Sequence, residues 1–363
     1  MHRRLAEQQQ AIDEIEQLVA VEKDGLAMLN DCGSYPQPDV SVTTRPRKWA
    51  GYDLSRIHSR YVAVTRLAVI GDEPVSLAAG KLDRLSRLTS LRLDAPSLTD
   101  SQLQPLPWLT ELESLELRSE TLNGSFLKQL PRETHLASLM LRSECLDDNT
   151  LASACRLRSL RSLSLMGLKL KSSATLSKLG KLPSVETLSL SGEFPISELR
   201  AIVDLPQLHT LRLSPGGESI DDEAFAQICR CGKVSDLQLL DLKLTRPERL
   251  RELARLRELF HLGLHGTFPN EGLETLALCD QLAFVTLESP SLNNDGVRRV
   301  ARSPTIYDLT ITSEQVDDGV LDDLAAMPSL RELTLWDTRT TAQGIARLRS
   351  KRPDVDVERY PGD

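Results

Sequence analysis

Hydrophobic residues along this chain change their spacing within every stretch of about two dozen residues. In LTSLRLDAPSLTDSQLQPLPWL, residues 88–109, Leu91 and Leu93 alternate with polar neighbours, which is typical of a strand. Farther along, leucines come at intervals of three, at Leu103, Leu106 and Leu109. That interval indicates one face of a helix, so the pattern predicts a short strand, a turn and a helix in each repeat.

The apolar frame φ-x-x-L-x-L, in which φ is an apolar residue, returns thirteen times along the chain at steps of 22 to 26 residues. Its middle apolar residues are Leu67, Leu91, Leu115, Leu139, Leu163, Leu188, Leu211, Leu237, Leu262, Val285, Leu309, Leu333 and, in a truncated last copy, Val355. Such regularity is typical of a solenoid, in which no repeat buries its leucines alone and stacked repeats share one core.

Short polar residues stand in pairs before the predicted helices. The pairs are Thr99-Asp100, Asp147-Asp148, Asp221-Asp222, Asn293-Asn294 and Asp317-Asp318. Their side chains can accept hydrogen bonds from the free N–H groups of a helix's first turn. Stacked strands lie about 4.8 Å apart, whereas stacked helices need about 10 Å. We therefore predict an α/β solenoid with a parallel sheet on its concave face and short helices on its convex face.

The repeats resemble those of leucine-rich repeat proteins, most closely bacterial ones with repeats of the LxxLxLxxTxLTDxGLxxL kind. These are similar to cysteine-containing and ribonuclease-inhibitor-like repeats, and TTAQGIARLRSKRPDVDVERY, residues 340–360, resembles their usual last repeat. The resemblance covers about residues 64–360 and implies a right-handed, horseshoe-shaped solenoid of 12 to 13 repeats. The asparagine that usually follows the middle leucine by five is absent, so the turns must satisfy their backbone groups otherwise.

The N-terminal segment, residues 1–60, precedes the predicted repeat domain, residues 61–363. We predict a helix over 3–18, a short edge strand over 20–24, a Pro/Ser/Thr-rich loop over 33–48 and a short helix over 49–61. The favoured interpretation is a cap that covers the leucines of the first repeat. The alternative is a dimerising or partner-docking helix.

Composition and charge narrow the class of partner. The 363 residues carry a net charge of −8, which argues against general nucleic-acid binding. Six dispersed cysteines do not make a disulfide framework, and Cys155, Cys231 and Cys279 stand where other repeats carry leucine. No apolar run approaches the roughly 20 residues of a membrane span. We expect a cytoplasmic chain, a monomer or weak dimer without membrane insertion, unless the natural protein has a further N-terminal segment.

Sequence motifs for catalysis are missing. Gly80-Lys81 and Gly180-Lys181 lack the rest of a phosphate loop, and neither HExxH nor GxSxG occurs. His261 and His265 flank a strand frame, where surface histidines are a better interpretation than a metal pair. We expect no cofactor, no metal and no enzymatic activity.

Side chains that alternate with the strand leucines form a column that we expect to be basic near the start and acidic near the end. Exposed aromatic and methionine side chains on such a surface are typical interface anchors. The predicted function is a non-catalytic protein-interaction scaffold that binds a protein through its concave face. The alternative is a substrate-recruiting or inhibitory subunit of a larger complex, docked through the N-terminal helix. The candidate partner-binding residues are Arg92, Arg118, Met140, Arg142, Met166, Arg212, His261, His265, Phe284, Glu288, Asp308, Glu332 and Trp336.

Overall fold

Strands and short helical segments alternate along the chain. A computed structural model describes residues 39–44, 48–49, 52–53, 62–70, 88–103, 111–132 and 134–361. The chain divides into two compact units, Met1–Ser162 and Leu163–Asp363.

In the first unit, the strands hydrogen-bond in the order β1-β4-β5-β6-β7, and β2 pairs with β3 in a separate two-stranded sheet. These strands are β1 (Asp39–Thr44), β2 (Lys48–Trp49), β3 (Tyr52–Asp53), β4 (Val62–Ile70), β5 (Ser90–Asp94), β6 (Ser114–Arg118) and β7 (Ser138–Leu146). Strands β4 to β7 are parallel. Strand β1 is antiparallel to β4.

In the second unit, the strands follow one another in sequence order from β8 to β16. They are β8 (Ser162–Lys169), β9 (Thr187–Glu193), β10 (Thr210–Pro215), β11 (Asp236–Lys243), β12 (His261–Thr267), β13 (Phe284–Glu288), β14 (Asp308–Thr312), β15 (Glu332–Trp336) and β16 (Asp356–Tyr360). Each strand from β9 to β16 is parallel to the next.

The strand register follows the apolar frame. Leu91 pairs with Leu115, and the same frame position continues strand by strand, for example from Leu309 to Leu333. These leucines are buried, with at most 1% of their surface exposed, so the frame residues form the core. The last frame is the exception to the prediction. Leu333 pairs with Val357 and not with Val355, because the terminal strand begins only at Asp356.

Helical segments connect the strands. The α-helices are α1 (Asp148–Ala154), α2 (Ser173–Leu176), α3 (Arg200–Val203), α4 (Asp222–Ile228), α5 (Asn294–Val300), α6 (Leu321–Ala325) and α7 (Ala342–Lys351). The 3₁₀ helices are Asp100–Leu103, Ser125–Gln129, Ser177–Lys181, Ile196–Glu198, Pro247–Arg255, Leu273–Leu278 and Asp318–Val320. Leucines at strict intervals of three, as at Leu250 and Leu253, match the three-residue turn of the 3₁₀ helix better than an α-helix.

The paired polar residues at helix starts divide their roles. The first residue caps its own helix: Asp221 accepts hydrogen bonds from the N–H groups of Glu223 and Ala224. The second reaches the next repeat: Asp222 accepts from the backbone N–H of Thr245 at 3.2 Å. The same division occurs in the pairs Asn293-Asn294 and Asp317-Asp318. Helix starts therefore link consecutive repeats as well as cap helices.

Buried serines replace the missing asparagine in several turns. Ser119 Oγ donates to the carbonyl oxygen of Leu98 in the preceding repeat at 2.6 Å and accepts from the N–H of Thr121 at 3.1 Å. Ser313 makes the same donation to Leu292 at 2.7 Å. Both serines follow their middle leucine by four residues. One hydroxyl thus joins two turns, as an asparagine side chain would.

The N-terminal predictions need correction where the structure describes that segment. Residues Asp39–Thr44 form a strand within the predicted loop 33–48, because Val40 and Val42 alternate with polar residues and pair with β4. Tyr52–Asp53 is a strand within the predicted helix 49–61. The predicted helix 3–18 and edge strand 20–24 lie outside the described residues.

Candidate functional site

The outward side of the sheet in the second unit presents three rows of side chains. We define the strand face as the outward side chains of β10 to β16 together with the residue directly before each strand. Register places a first row in line, formed by Asp236, His261, Phe284, Asp308 and Glu332. The middle row contains Gln238, Gly263, Thr286, Thr310 and Thr334. The last row contains His265, Glu288, Thr312, Trp336 and Tyr360.

Aromatic side chains gather at the start of three neighbouring strands. The ring centroids of Phe260 and Phe284 lie 5.1 Å apart, and those of Phe284 and Tyr307 lie 6.3 Å apart. Phe260 is 49% exposed and Tyr307 is 43% exposed. Phe284 is among the candidates predicted from the sequence, whereas Phe260 and Tyr307 are not. Both stand directly before a strand, two residues ahead of the middle apolar residue, and this recurring position was the available signal.

A second aromatic pair lies at the other end of the strands. The rings of Trp336 and Tyr360 stack with centroids 4.0 Å apart and planes inclined by 13°. Tyr360 is not among the candidates predicted from the sequence. Its place beside Trp336 follows from the register of β15 and β16, which the sequence did not provide. Its hydroxyl donates to Glu358 Oε2 at 2.8 Å, which raises the pKa of Tyr360.

The two strand histidines turn towards different carboxylates. His261 Nδ1 lies 3.5 Å from Asp236 Oδ1, whereas His265 Nδ1 lies 2.9 Å from Glu288 Oε2. They belong to the first and last rows, so the structure does not bring their rings together as a metal pair. Among the described residues, no group of three or more His, Cys, Asp or Glu side chains converges to hold a metal ion.

Two carboxylates of the first row lack a Lys or Arg partner. Asp308 and Glu332 stand at paired positions on β14 and β15, and neither forms an ion pair with a described Lys or Arg. Burial, followed by repulsion from Glu332, raises the pKa of Asp308. Asp236, by contrast, is paired with Arg212 at 2.8 Å. The acidic character predicted for the late repeats is therefore uncompensated by Lys or Arg at Asp308 and Glu332. Asp356, the register partner of Glu332 on β16, extends it without an ion pair to a described Lys or Arg.

Two strand arginines of the first unit are neutralised by carboxylates. Arg118 lies 3.0 Å from Glu116 and 3.7 Å from Asp94, and Arg92 contacts the same two carboxylates at 3.5 and 3.7 Å. Register explains the network, because Arg92 pairs with Glu116 and Asp94 with Arg118 on neighbouring strands. The predicted basic column is thus self-compensated at these residues, and Arg142, which is exposed, keeps its charge free among the described side chains.

No protein-family model and no curated protein matches the sequence. Similar solved structures include an internalin from Listeria monocytogenes, which is 15% identical over 85% of this chain and 93% of its own, with a TM-score of 0.46. A leucine-rich repeat protein from Leptospira interrogans is 17% identical over 81% and 90%, with a TM-score of 0.39. The Arabidopsis receptor kinase HAESA ectodomain, in complex with a peptide hormone, is 15% identical over 96% and 53%, with a TM-score of 0.43.

The fold of this chain is established by its own strand pairing. Each apolar frame forms a strand, and within each unit the strands lie side by side in register with a helical segment between most of them. Each unit has a leucine-rich repeat fold. The fold class predicted from the sequence is confirmed in this respect.

The remaining candidates occupy strand positions of the leucine-rich repeats. Met140 and Met166 are half-buried on β7 and β8, and Arg212 is exposed on β10. The cysteines at leucine positions pack in the core: Cys155, Cys231 and Cys279 are each at most 6% exposed. Burial raises the pKa of Cys231 to about 12 and that of Cys279 to about 11, so neither is a thiolate nucleophile at neutral pH.

The helices of the described repeats are short. The longest, Ala342–Lys351, has 10 residues, and none in this part of the chain is long and apolar enough to cross a membrane.

Proposed function

We propose that this leucine-rich repeat chain is a non-catalytic protein-binding module whose partner contacts the strand face of the second unit. One observation carries the proposal. Five large hydrophobic side chains are exposed in the described part of the chain, and four of them belong to the strand face. Those four are Phe260, Tyr307, Trp336 and Tyr360. Aromatic residues at this density are typical of the anchors that dominate binding energy at protein interfaces.

The sequence-derived candidates fit this surface in the second unit. Phe284 joins the aromatic group at the strand starts, while His265 and Glu288 form a polar pair in the last row. The first unit adds Arg142 as a charged contact and Met140 as an adaptable apolar one, because both lie on outward strand positions. Arg92 and Arg118 contribute less, since their charges are already paired.

The proposal includes a cytoplasmic location and a monomer or weak dimer. The cytoplasmic location is supported by the free thiol of the exposed Cys145 and by the cysteines that serve as core side chains.

Affinity capture with quantitative mass spectrometry tests the proposal. The full chain is immobilised and exposed to lysate of the source cell, and the double variant Phe284→Ala/Trp336→Ala is compared with wild type. We expect the captured partner to fall at least about tenfold, since losing two aromatic anchors costs well over 1.4 kcal/mol.

Leu278→Ala is the matched control. Leu278 is the fifth exposed large hydrophobic side chain, 66% exposed on a 3₁₀ helix outside the strand face. This variant should capture the partner as wild type does. Equal capture by all three chains, each with native circular dichroism, would exclude recognition through the strand face. Arg142→Glu, measured in parallel, reports whether the first unit contributes.

A further inference from the structure

The charge of the strand face is unbalanced at one place. Asp308 and Glu332 are directly opposite each other on neighbouring strands, where like charges destabilise a sheet. No Lys or Arg in the described part of the chain forms an ion pair with either carboxylate, although Arg331 directly precedes Glu332. Arg331 turns away, because it donates to the carbonyl oxygens of Pro328 and Leu330 and contacts Asp354 at 3.6 Å. The two carboxylates therefore lack a Lys or Arg partner, and the basic side chain that acts on Asp308 is the imidazole of His261.

An aromatic wall stands beside these carboxylates. Phe284 is the register partner of Asp308 on the preceding strand, and Tyr307 is the residue directly before Asp308. Phe284 is held between Phe260 and Tyr307 by ring contacts at 5.1 and 6.3 Å. A cation placed against an aromatic face is attracted by the ring, and neighbouring carboxylates strengthen that attraction. The combination favours a guanidinium or ammonium group over a neutral or acidic one.

Small residues occupy the middle row beside the charged row. Gly263, Thr286, Thr310 and Thr334 succeed one another across β12 to β15, and all four side chains are short. The three threonine hydroxyls make no hydrogen bond to another described residue. Each hydroxyl can donate one hydrogen bond and accept others. A row of free hydroxyls suits the alternating N–H and C=O groups of an extended peptide.

The stacked Trp336–Tyr360 pair supplies a second contact point. Trp336 follows Glu332 by four residues on the same strand, so the two positions lie roughly 13 Å apart. An extended peptide covers that distance in about four residues. A single segment thus reaches both the carboxylates and the aromatic stack.

We propose that the partner presents an extended peptide segment whose arginine or lysine binds between Asp308 and Glu332 against Phe284, with an apolar side chain on Trp336. This inference rests on the proposed function and adds the chemistry of the partner. Charge complementarity supports this partner: a surface with two carboxylates that lack Lys or Arg partners and with exposed aromatic rings selects a basic, partly apolar segment.

A phage-displayed library of random nonapeptides tests the inference on the full chain. On wild type, we expect Arg and Lys at one peptide position to be enriched about fivefold over the input library, from a cation–π contact and an ion pair. An apolar or aromatic residue should be enriched three to five positions away. The double variant Asp308→Asn/Glu332→Gln should lose the basic preference while keeping the apolar one.

Glu258→Gln is the control for loss of an acidic side chain, because Glu258 is exposed beyond the strand face. This variant should keep the basic preference. The double variant should fold, because its amide substitutions remove a repulsion between Asp308 and Glu332. Circular dichroism checks the fold of this variant and of Glu258→Gln. A basic preference unchanged in the double variant would overturn the inference.

The outcomes separate this inference from the proposed function. Peptides enriched on wild type and lost on Phe284→Ala/Trp336→Ala, but without a basic position, would overturn the charge inference and leave strand-face binding intact. If no peptide binds wild type better than that aromatic variant, the inference fails, while strand-face binding of a protein is decided by the affinity capture.

Discussion

At the residue scale, the ends of several strands depend on left-handed backbone. Gly266 has φ 134°, and a Cβ built there would lie 2.4 Å from the carbonyl oxygen of Leu242 in the preceding repeat. Gly192 has φ 125° and meets Leu168 in the same way. Asp241 and Asp337 adopt positive φ with a side chain, which Asp tolerates better than most residues. Gly192, Asp241 and Gly266 lie near the ends of β9, β11 and β12, and Asp337 directly follows β15.

Gly266→Ala should lower the free energy of unfolding by about 2 kcal/mol or more, because the new methyl group meets backbone at a left-handed position. Urea unfolding followed by circular dichroism measures the loss. Gly232→Ala is the control, since nothing lies within 4 Å of a Cβ at that site. It should change stability by less than about 0.5 kcal/mol. Equal effects at the two glycines would contradict the steric explanation.

At the element scale, the helix starts hold consecutive repeats together. Asp222 is buried, and it accepts from Thr245 Oγ1 at 2.6 Å and from Arg246 Nε at 3.2 Å in the next repeat. Burial alone would raise the pKa of Asp222, but these hydrogen bonds outweigh it and lower the pKa below its usual 3.8. The ionised carboxylate is therefore the form that the fold prefers.

Asp222→Ala should cost about 2 kcal/mol of stability at neutral pH, because buried N–H groups of the next repeat lose their acceptor. A depressed folded-state pKa gives stability that is present above the unfolded value and is lost as pH falls through the folded value. The difference between wild type and variant should thus shrink below pH 3.8. Urea unfolding at pH 7 and at pH 3 measures both differences.

The exposed Asp280 provides the control for this measurement. Asp280→Ala should leave stability nearly unchanged at either pH. A difference at Asp222 that stays constant from pH 7 to pH 3 would show that the ionised carboxylate is not responsible.

The sequence predicted those elements that depend on residues within a single strand or turn. The apolar frame located the strands, and paired polar residues located the helix starts. The spacing by three predicted a helix but not its kind, which at Leu250 is 3₁₀. The second role of Asp222 was missed because its partner, Thr245, stands 23 residues away.

At the scale of the whole molecule, the two units carry different strand surfaces. In the first unit, Arg92 and Arg118 neutralise Asp94 and Glu116. In the second, Asp308 and Glu332 stay uncompensated beside aromatic rings. The sequence shows which charged residues lie on the strands but not which of them form ion pairs. The prediction therefore overstated the basic character of the first strands. Ion pairing between neighbouring strands depends on their register, which the structure provides.

Each repeat in a repeat array is stabilised mainly by contacts with the repeats next to it, so removing one repeat should destabilise only its neighbours. Removing residues 352–363 deletes β16 and uncovers Leu333, Leu335 and Trp336. Backbone amides of β15 should then exchange at least about tenfold faster, because terminal repeats open without the rest of the unit. Hydrogen exchange with mass spectrometry measures this.

Strand β10 serves as the internal control in the same sample, and its exchange should match that of the intact chain. Equal acceleration in β10 and β15 would show that the second unit opens all at once.

The bond from Asp222 to Thr245 ends on a main-chain N–H, as do those from Asn294 to Asp317 and from Asp318 to Thr341. Every amino acid except proline offers that donor. An inserted repeat would therefore donate to the repeat before it whatever its side chains, and would need only one Asp or Asn of its own to accept from the repeat after it. Gene duplication copies that residue, so an array can lengthen, and its outward strand positions can change in sequence, without loss of these links.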